Sequence, residues 1–333
     1  MNNKRKRPTL QDIASHLGIT KMTVSRYLRD PNLVAAETGK RIAEAIEHFG
    51  YIPNRAPEIL SNAKSRAIGV LVPSLTNHVF ADVIKGIENI TDQAGYQTML
   101  AHYGYCQDKE EKRIESLLSY NIDGLILSET EHSPKTLKML EVANIPVIEI
   151  MDTSEFGLQQ VIGFDNVAAA QSMVETMIKR GYKNIVYFSA RMDKRTRLKM
   201  QGYEQAMRKH QLTPHSLLTE EPSSFTLGAE QLKLALEKYP QIDGIFCTND
   251  DLAIGALFEC QRQGIDVPKQ IGIAGFHGLN VGLSLTTQIA TVRTPRLAIG
   301  EVAAKELLNR IEGIAPENCM INLGYNIHLG ESI

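Results

Sequence analysis

Between Thr9 and Leu28 the chain reads TLQDIASHLGITKMTVSRYL, and its apolar positions follow a helical period twice over. Leu10, Ile13, Ala14 and Leu17 fall at i, i+3, i+4 and i+7, the spacing of one buried helix face. Thr9 with Asp12 has the form of a capping box that starts this helix. Gly18 stands where a left-handed residue is needed to stop it and turn sharply. Thr20 is placed to cap a second helix that turns Val24, Tyr27 and Leu28 inward, and Ala14 is small enough for the two axes to approach. Lys21, Met22, Thr23, Ser25 and Arg26 stay outward, in the half of a second helix that a helix-turn-helix presents to a major groove and its phosphates. Periodicity alone fits any helical hairpin. The joint spacing of Ala14, Gly18, Ile19 and Val24 is more specific.

A third helix is expected from about Ala36 to Phe49, with Ile42, Ile46 and Phe49 inward and Gly50 as its stop. Ala35 gives it no side-chain cap. Pro53 and Pro57 then mark a linker, in which Pro57 fits the first turn of a short helix begun at Asn54. At about nine residues that helix is too short to hold alone in water. Leu60 on it is either a core residue packed on the body or a wedge for a minor groove, and linker position alone favours packing. From Ser65 onward, short apolar runs alternate with helical stretches. Strands are expected at 67–72, 98–102, 124–127, 147–151, 161–164, 185–188, 244–247, 271–275 and 289–292, with helices such as 79–94, 109–120, 168–180 and 251–263 between them. Such alternation implies parallel sheets covered on both faces, and so many strands suggest two lobes.

Charge sharpens this division. Residues 1–66 hold twelve Lys or Arg against six Asp or Glu, while the remainder holds 24 against 32. A basic head on an acidic body suggests that only the head meets a polyanion. No apolar run reaches the ~18 residues of a membrane span, and the basic N-terminus leads into Pro8 and a polar helix, so a cytoplasmic location without membrane contact is expected. Cys106, Cys247, Cys260 and Cys319 show no C-x-x-C spacing, which predicts reduced and mostly buried thiols.

The helix-turn-helix run, the following GYIPNRAPEILSNAKSRAIGVLVPSLTN, and the later CTNDDLAIGAL and IAGFHG resemble the lac-repressor (LacI/GalR) family of bacterial transcription regulators over the whole chain. Within it, KMTVSRYLRDP, GYQTMLAHYGY and CTNDDLAIGALFECQ are most similar to regulators of gluconate and idonate utilisation. The resemblance implies an all-α helix-turn-helix DNA-binding head (1–52), a hinge helix or linker (53–64) and an α/β two-lobed periplasmic-binding-protein-like effector and dimerisation domain (65–333). It implies that Lys21 and Met22 read bases and that Thr23, Ser25, Arg26, Tyr51 and Asn54 hold backbone. Thr9, Leu10 and Arg55 join them at the DNA. Leu60 becomes the hinge wedge, against the preference for packing.

In open α/β sheets ligands sit beyond the carboxyl ends of the strands. This draws attention to Ser74, Asn77 and Phe80, to Asp165, to Asn249 and to His277 as effector contacts. Each has a plainer alternative: Asp165 and Asn249 suit helix caps, Phe80 suits a core, and His277 suits a hydrogen-bonded loop. Arg191, Lys194, Arg195, Arg197 and Lys199 put five cations in nine residues. A solvated helix face explains the run as well as a cleft-facing one does, yet a desolvated member would select a carboxylate or phosphate. By the resemblance, Lys199 stands where many relatives have an effector-contacting Arg, and His277 where sugar-binding relatives have an Asp. Both departures favour an anionic sugar acid, whereas Glu149 and Asp152 would oppose it if they lined the cleft.

The sequence offers no nucleophile elbow, no H-E-x-x-H, no phosphate-binding glycine loop and no metal spacing among its nine histidines, so neither enzyme nor cofactor is expected. The leading expectation is a homodimeric repressor on a palindromic double-stranded operator, released or retuned by a gluconate- or idonate-like effector. The effector could also strengthen DNA binding or activate, or be a neutral sugar or purine. A free solute-binding protein and a sugar-acid kinase are the alternatives from other classes.

Overall fold

The computed structural model describes residues 7–54, 64–153, 155 and 157–333, which form two compact units parting between Ser65 and Arg66. In the smaller unit, α1 (Leu10–Leu17), α2 (Lys21–Arg29) and α3 (Ala36–Phe49) enclose Ile13, Ala14, Val24, Ile42, Ala45 and Tyr51. Capping chemistry sets the boundaries. The Asp12 amide donates to Thr9 Oγ1 at 3.3 Å and the Thr9 amide to the Asp12 carboxylate at 2.7 Å, the reciprocal box expected there. Gly18, at φ 66°, ends α1 in a conformation that a side chain would strain. The Thr23 amide donates to Thr20 Oγ1 at 3.2 Å to start α2. Ala35 indeed offers α3 no side-chain cap. Instead, Arg41 on α3 donates to the Leu17 carbonyl at 3.0 Å and ties α3 to the end of α1.

The larger unit is laid down in three passes. The first comprises β1 (Ala67–Val72), α4 (Val79–Thr91), β2 (Gln97–His102), α5 (Gln107–Ser119), β3 (Gly124–Leu127), α6 (Pro134–Ala143), β4 (Val147–Ile150) and β5 (Val161–Gly163). The second begins with α7 (Asn166–Lys179), β6 (Ile185–Phe188), α8 (Lys194–Lys209), β7 (His215–Leu217) and α9 (Phe225–Lys238). It continues through β8 (Gly244–Cys247), α10 (Asp250–Gln263), β9 (Gly272–His277), α11 (Asn280–Leu283) and β10 (Ala290–Arg293). Last come α12 (Arg296–Ile311), β11 (Met320–Asn322) and β12 (Asn326–His328). Two six-stranded sheets result, ordered β11-β5-β4-β3-β1-β2 and β12-β10-β9-β8-β6-β7, parallel except where β12 runs against β10. The chain therefore crosses between lobes after β5, after β10 and again after β11, and α12 packs on α4 and the first sheet. Strand interiors such as Gly124–Leu127 and Gly244–Cys247 are buried throughout, as sheets covered on both faces require.

Some element edges differ from the expected ones. Helix α7 starts at Asn166, not 168, because Asp165 Oδ1 accepts the Ala168 amide at 2.9 Å. Strand β9 extends to His277, since Phe276 and His277 pair with Val292 and Arg293. Helix α5 begins at Gln107, and α4 ends at Thr91. Only two of the four free cysteines, Cys247 and Cys260, are buried; Cys106 is half-buried and Cys319 exposed. Among the described residues no helix is long and apolar enough to cross a membrane. Arg55, Pro57 and Leu60, and with them the helix expected to begin at Asn54, lie outside the described residues.

Candidate functional site

On the head, α2 carries the chemistry outward. Lys21, Ser25 and Arg26 are exposed, Met22 is 64% exposed, and only Val24 of that run is sealed inside. Thr23 is half-buried, its hydroxyl 2.9 Å from that of Thr20. Three other expected DNA contacts have partners within the head. The Thr9 side chain serves the capping box, Leu10 packs against the head core, and Tyr51 is buried within it. Asn54 is exposed.

In the larger unit, five of the seven expected effector residues, Asn77, Phe80, Lys199, Asn249 and His277, line one cavity between the lobes. Lys199, buried on α8, is its centre. Its Nζ donates to the Thr248 carbonyl at 3.0 Å, approaches Asn249 Oδ1 at 3.5 Å and His277 Nε2 at 3.0 Å, and lies 4.2 Å from the Phe276 ring centre. Among the described residues no carboxylate pairs with it within 4 Å. Burial disfavours the ammonium more than the nearby Asp193 carboxylate supports it, and brings Lys199 down to about 7. His277 is pushed well below its ordinary value, first by burial and then by the Lys199 charge, so its imidazole is neutral. A hydrogen bond to Thr294 Oγ1 at 3.2 Å fixes its other nitrogen. His277 also holds φ at 100°, a left-handed backbone unusual for a side-chain-bearing residue, with its carbonyl taken by Arg296. Asp250, behind the pocket, accepts from Thr291 Oγ1 at 2.6 Å and the Leu279 amide, and burial lifts it to about 7.

The cation run is not a solvated face. Lys194 and Lys199 are buried, Arg191 and Arg195 are half-buried at the cavity, and only Arg197 is exposed. The Arg195 guanidinium sits 5.7 Å from the Phe80 ring centre, and that of Arg191 stacks 4.3 Å from Tyr105 across the cleft mouth. Asn249 occupies the helix-cap position yet makes no cap bond; its amide faces Lys199 instead. Asp165 is the reverse case, a helix cap outside the cavity lining. Ser74 lies in an outer hollow of about 860 Å³ and bonds Thr76 at 3.0 Å. Neither Glu149 nor Asp152 lines the inner cavity. Glu149 is turned to His132 at 3.2 Å, and Asp152 accepts from Asn166 at 2.9 Å. Tyr105, Met151 and Asp193 were missed, although Tyr105 and Met151 follow strand ends, where the carboxyl-end rule would have found them.

Two family models match. Residues 9–54 fit the bacterial regulatory proteins of the lacI family, and residues 65–328 fit the periplasmic binding proteins and sugar binding domain of the LacI family. The chain belongs to the LacI family. It is 54% identical to the HTH-type transcriptional regulator GntR of Escherichia coli K12 over 99% of this chain and 100% of that one. It is 47% identical to the regulator IdnR of the same organism, over 98% and 99%. A LacI family regulator from Silicibacter pomeroyi superposes with a TM-score of 0.91 at 32% identity, covering 98% and 99%. The lac repressor dimer bound to operator shares the fold alone, with a TM-score of 0.86 at 20% identity over 98% and 99%. These relatives and neighbours are transcription regulators, not enzymes, and this LacI family member is a DNA-binding transcription regulator.

Proposed function

We propose that this regulator represses genes of sugar-acid catabolism as a homodimer on a palindromic operator, and that a gluconate- or idonate-like acid binds between its lobes. Lys21 and Met22 read base edges, while Thr23, Ser25 and Arg26 hold phosphates. The observation that carries the effector class is Lys199, a buried cation whose described contacts are neutral, with Arg195 and Arg191 beside it. A ligand carboxylate supplies the close counter-charge that Asp193, farther off in the same cavity, does not. Asn77, Asn249 and neutral His277 suit hydroxyls, and Phe80 suits the carbon chain. The inner cavity measures about 30 Å³, room for a water or two. A six-carbon acid therefore enters only as Arg191 and Tyr105 part and the lobes separate. Release of DNA then follows if the acid binds the DNA-free form more tightly; equal affinity for both forms would shift nothing.

Thermal unfolding of the pure protein against sugar acids, neutral sugars, sugar phosphates and purines tests this. A ligand at a hundred times its Kd adds ~2.7 kcal/mol of stability to the unit that binds it. A shift confined to sugar acids and abolished in Lys199→Ala is expected. A shift with neutral sugars or purines alone would overturn the sugar-acid effector and leave the DNA-binding head untouched.

A further inference from the structure

We propose that His132 is a positioning residue for the inter-lobe site: held between Glu110 and Glu149, it fixes the two first-lobe segments that receive the α8 cations and so sets how Arg195 enters the cavity. The inference holds whatever the effector is. His132 lies just after β3, and its side chain is 1% exposed. Its Nδ1 is 2.8 Å from Glu110 on α5 and its Nε2 is 3.2 Å from Glu149 on β4, both carboxylates also buried. The first segment it anchors is its own, 128–132. The second hangs from the other oxygen of Glu149, which accepts the Leu158 amide. The backbone passes so close that a Cβ on Gly157 would fall 1.8 Å from that carboxylate oxygen, so any side chain there would have to displace Glu149.

These two segments are the ones that grip α8 across the cleft. Arg195 donates to the Ser128 carbonyl, Lys194 donates to Thr130 Oγ1 at 2.9 Å, and Arg197 reaches Glu131 at 3.0 Å. On the second segment Glu155 accepts from Lys194 at 2.9 Å. Three cations of one helix are thus received by the 128–132 stretch and by Glu155, and His132 lies in that stretch and bonds the carboxylate that accepts the Leu158 amide. Burial disfavours the imidazolium, but hydrogen bonds to Glu110 and then Glu149 outweigh it and raise His132 to about 9. The doubly donating form is therefore kept through neutral pH. The charged groups facing the ring are those two carboxylates; neighbouring Glu111 is turned to Ser133 and Lys135.

Hydrogen exchange by mass spectrometry on the effector-free full chain, corrected for intrinsic rates, reads the two segments directly. At pH 7, His132→Gln is expected to speed exchange around 128–133 and 157–160 by about tenfold, with the second sheet unchanged. Glu110→Gln removes the larger of the two partners that raise the imidazole. Its segments are then protected at pH 6 and loosened by pH 8, where the wild type stays protected. This second variant carries the test if His132→Gln does not fold. Wild-type exchange in both segments, or loosening with no pH dependence in Glu110→Gln, would overturn the assignment.

Discussion

Helices α2 and α8 both carry a cluster of cations, and they use it in opposite ways. On α2, Lys21 and Arg26 stand in solvent, while on α8 Lys194 and Lys199 are buried and Arg195 is turned into the cleft. Exposed cations release counter-ions from a polyanion, so what they bind is wide and salt-dependent. A buried cation has lost its water. It discriminates strongly, because a ligand must replace that water with acceptors of its own. On the proposed reading, one protein keeps two anion-recognition modes apart by solvation alone.

The largest expected effect asks whether the two units are separable. Ile13→Ala removes a fully buried side chain from the head core and should cost ~2–5 kcal/mol there. DNA binding is expected to collapse in a mobility-shift assay while the ligand-induced thermal shift of the larger unit survives. Loss of both would show that the larger unit depends on the head. Next in size, Lys21→Ala should cost ~1–3 kcal/mol at one base position and relax sequence preference there. Arg26→Ala should instead weaken all sequences alike and lower the salt slope by about one. Binding titrations on specific and random duplexes at several salt concentrations separate the two; equal losses for Lys21→Ala on both duplexes would remove its base-reading role.

The head was almost wholly legible in the sequence because its signals are local. Thr9 with Asp12, Gly18, Thr20 and Gly50 each act within a turn or so of themselves. The alternation of strand and helix was legible for the same reason. What escaped depends on partners far along the chain. Lys194 and Arg195 break the rule that an inward helix face is apolar, and only the loops across the cleft reveal why. Asn249 and Asp165 looked alike as caps, yet Asp165 accepts the Ala168 amide while the Asn249 side chain faces Lys199 and makes no cap bond. His132 could not stand out at all, its two carboxylates lying 22 and 17 residues away.

The smallest effect bears most directly on the contrast in solvation. Folding takes Lys199 from an ordinary lysine value to about 7, so the folded state holds its ammonium less favourably than the unfolded chain does. That penalty is fully present below pH 7, fades as the pH rises towards the unfolded lysine value of ~10.4, and vanishes above it. Lys199→Met keeps the stem and removes the charge. The ligand-free variant should therefore be more stable than wild type by about 1 kcal/mol at pH 6, net of the acceptors left at Thr248 and His277. The gain should shrink by pH 9. His132 also titrates near there, but it is common to both proteins and cancels in the difference. Arg26→Ala, its solvated counterpart, should leave stability within ~0.5 kcal/mol at either pH. Urea unfolding of the three proteins at the two pH values decides it. A Lys199→Met variant less stable at pH 6 than at pH 9, relative to wild type, would mean that Lys199 already has a counter-charge in the folded protein, and the distinction between the two helices would fail at its centre.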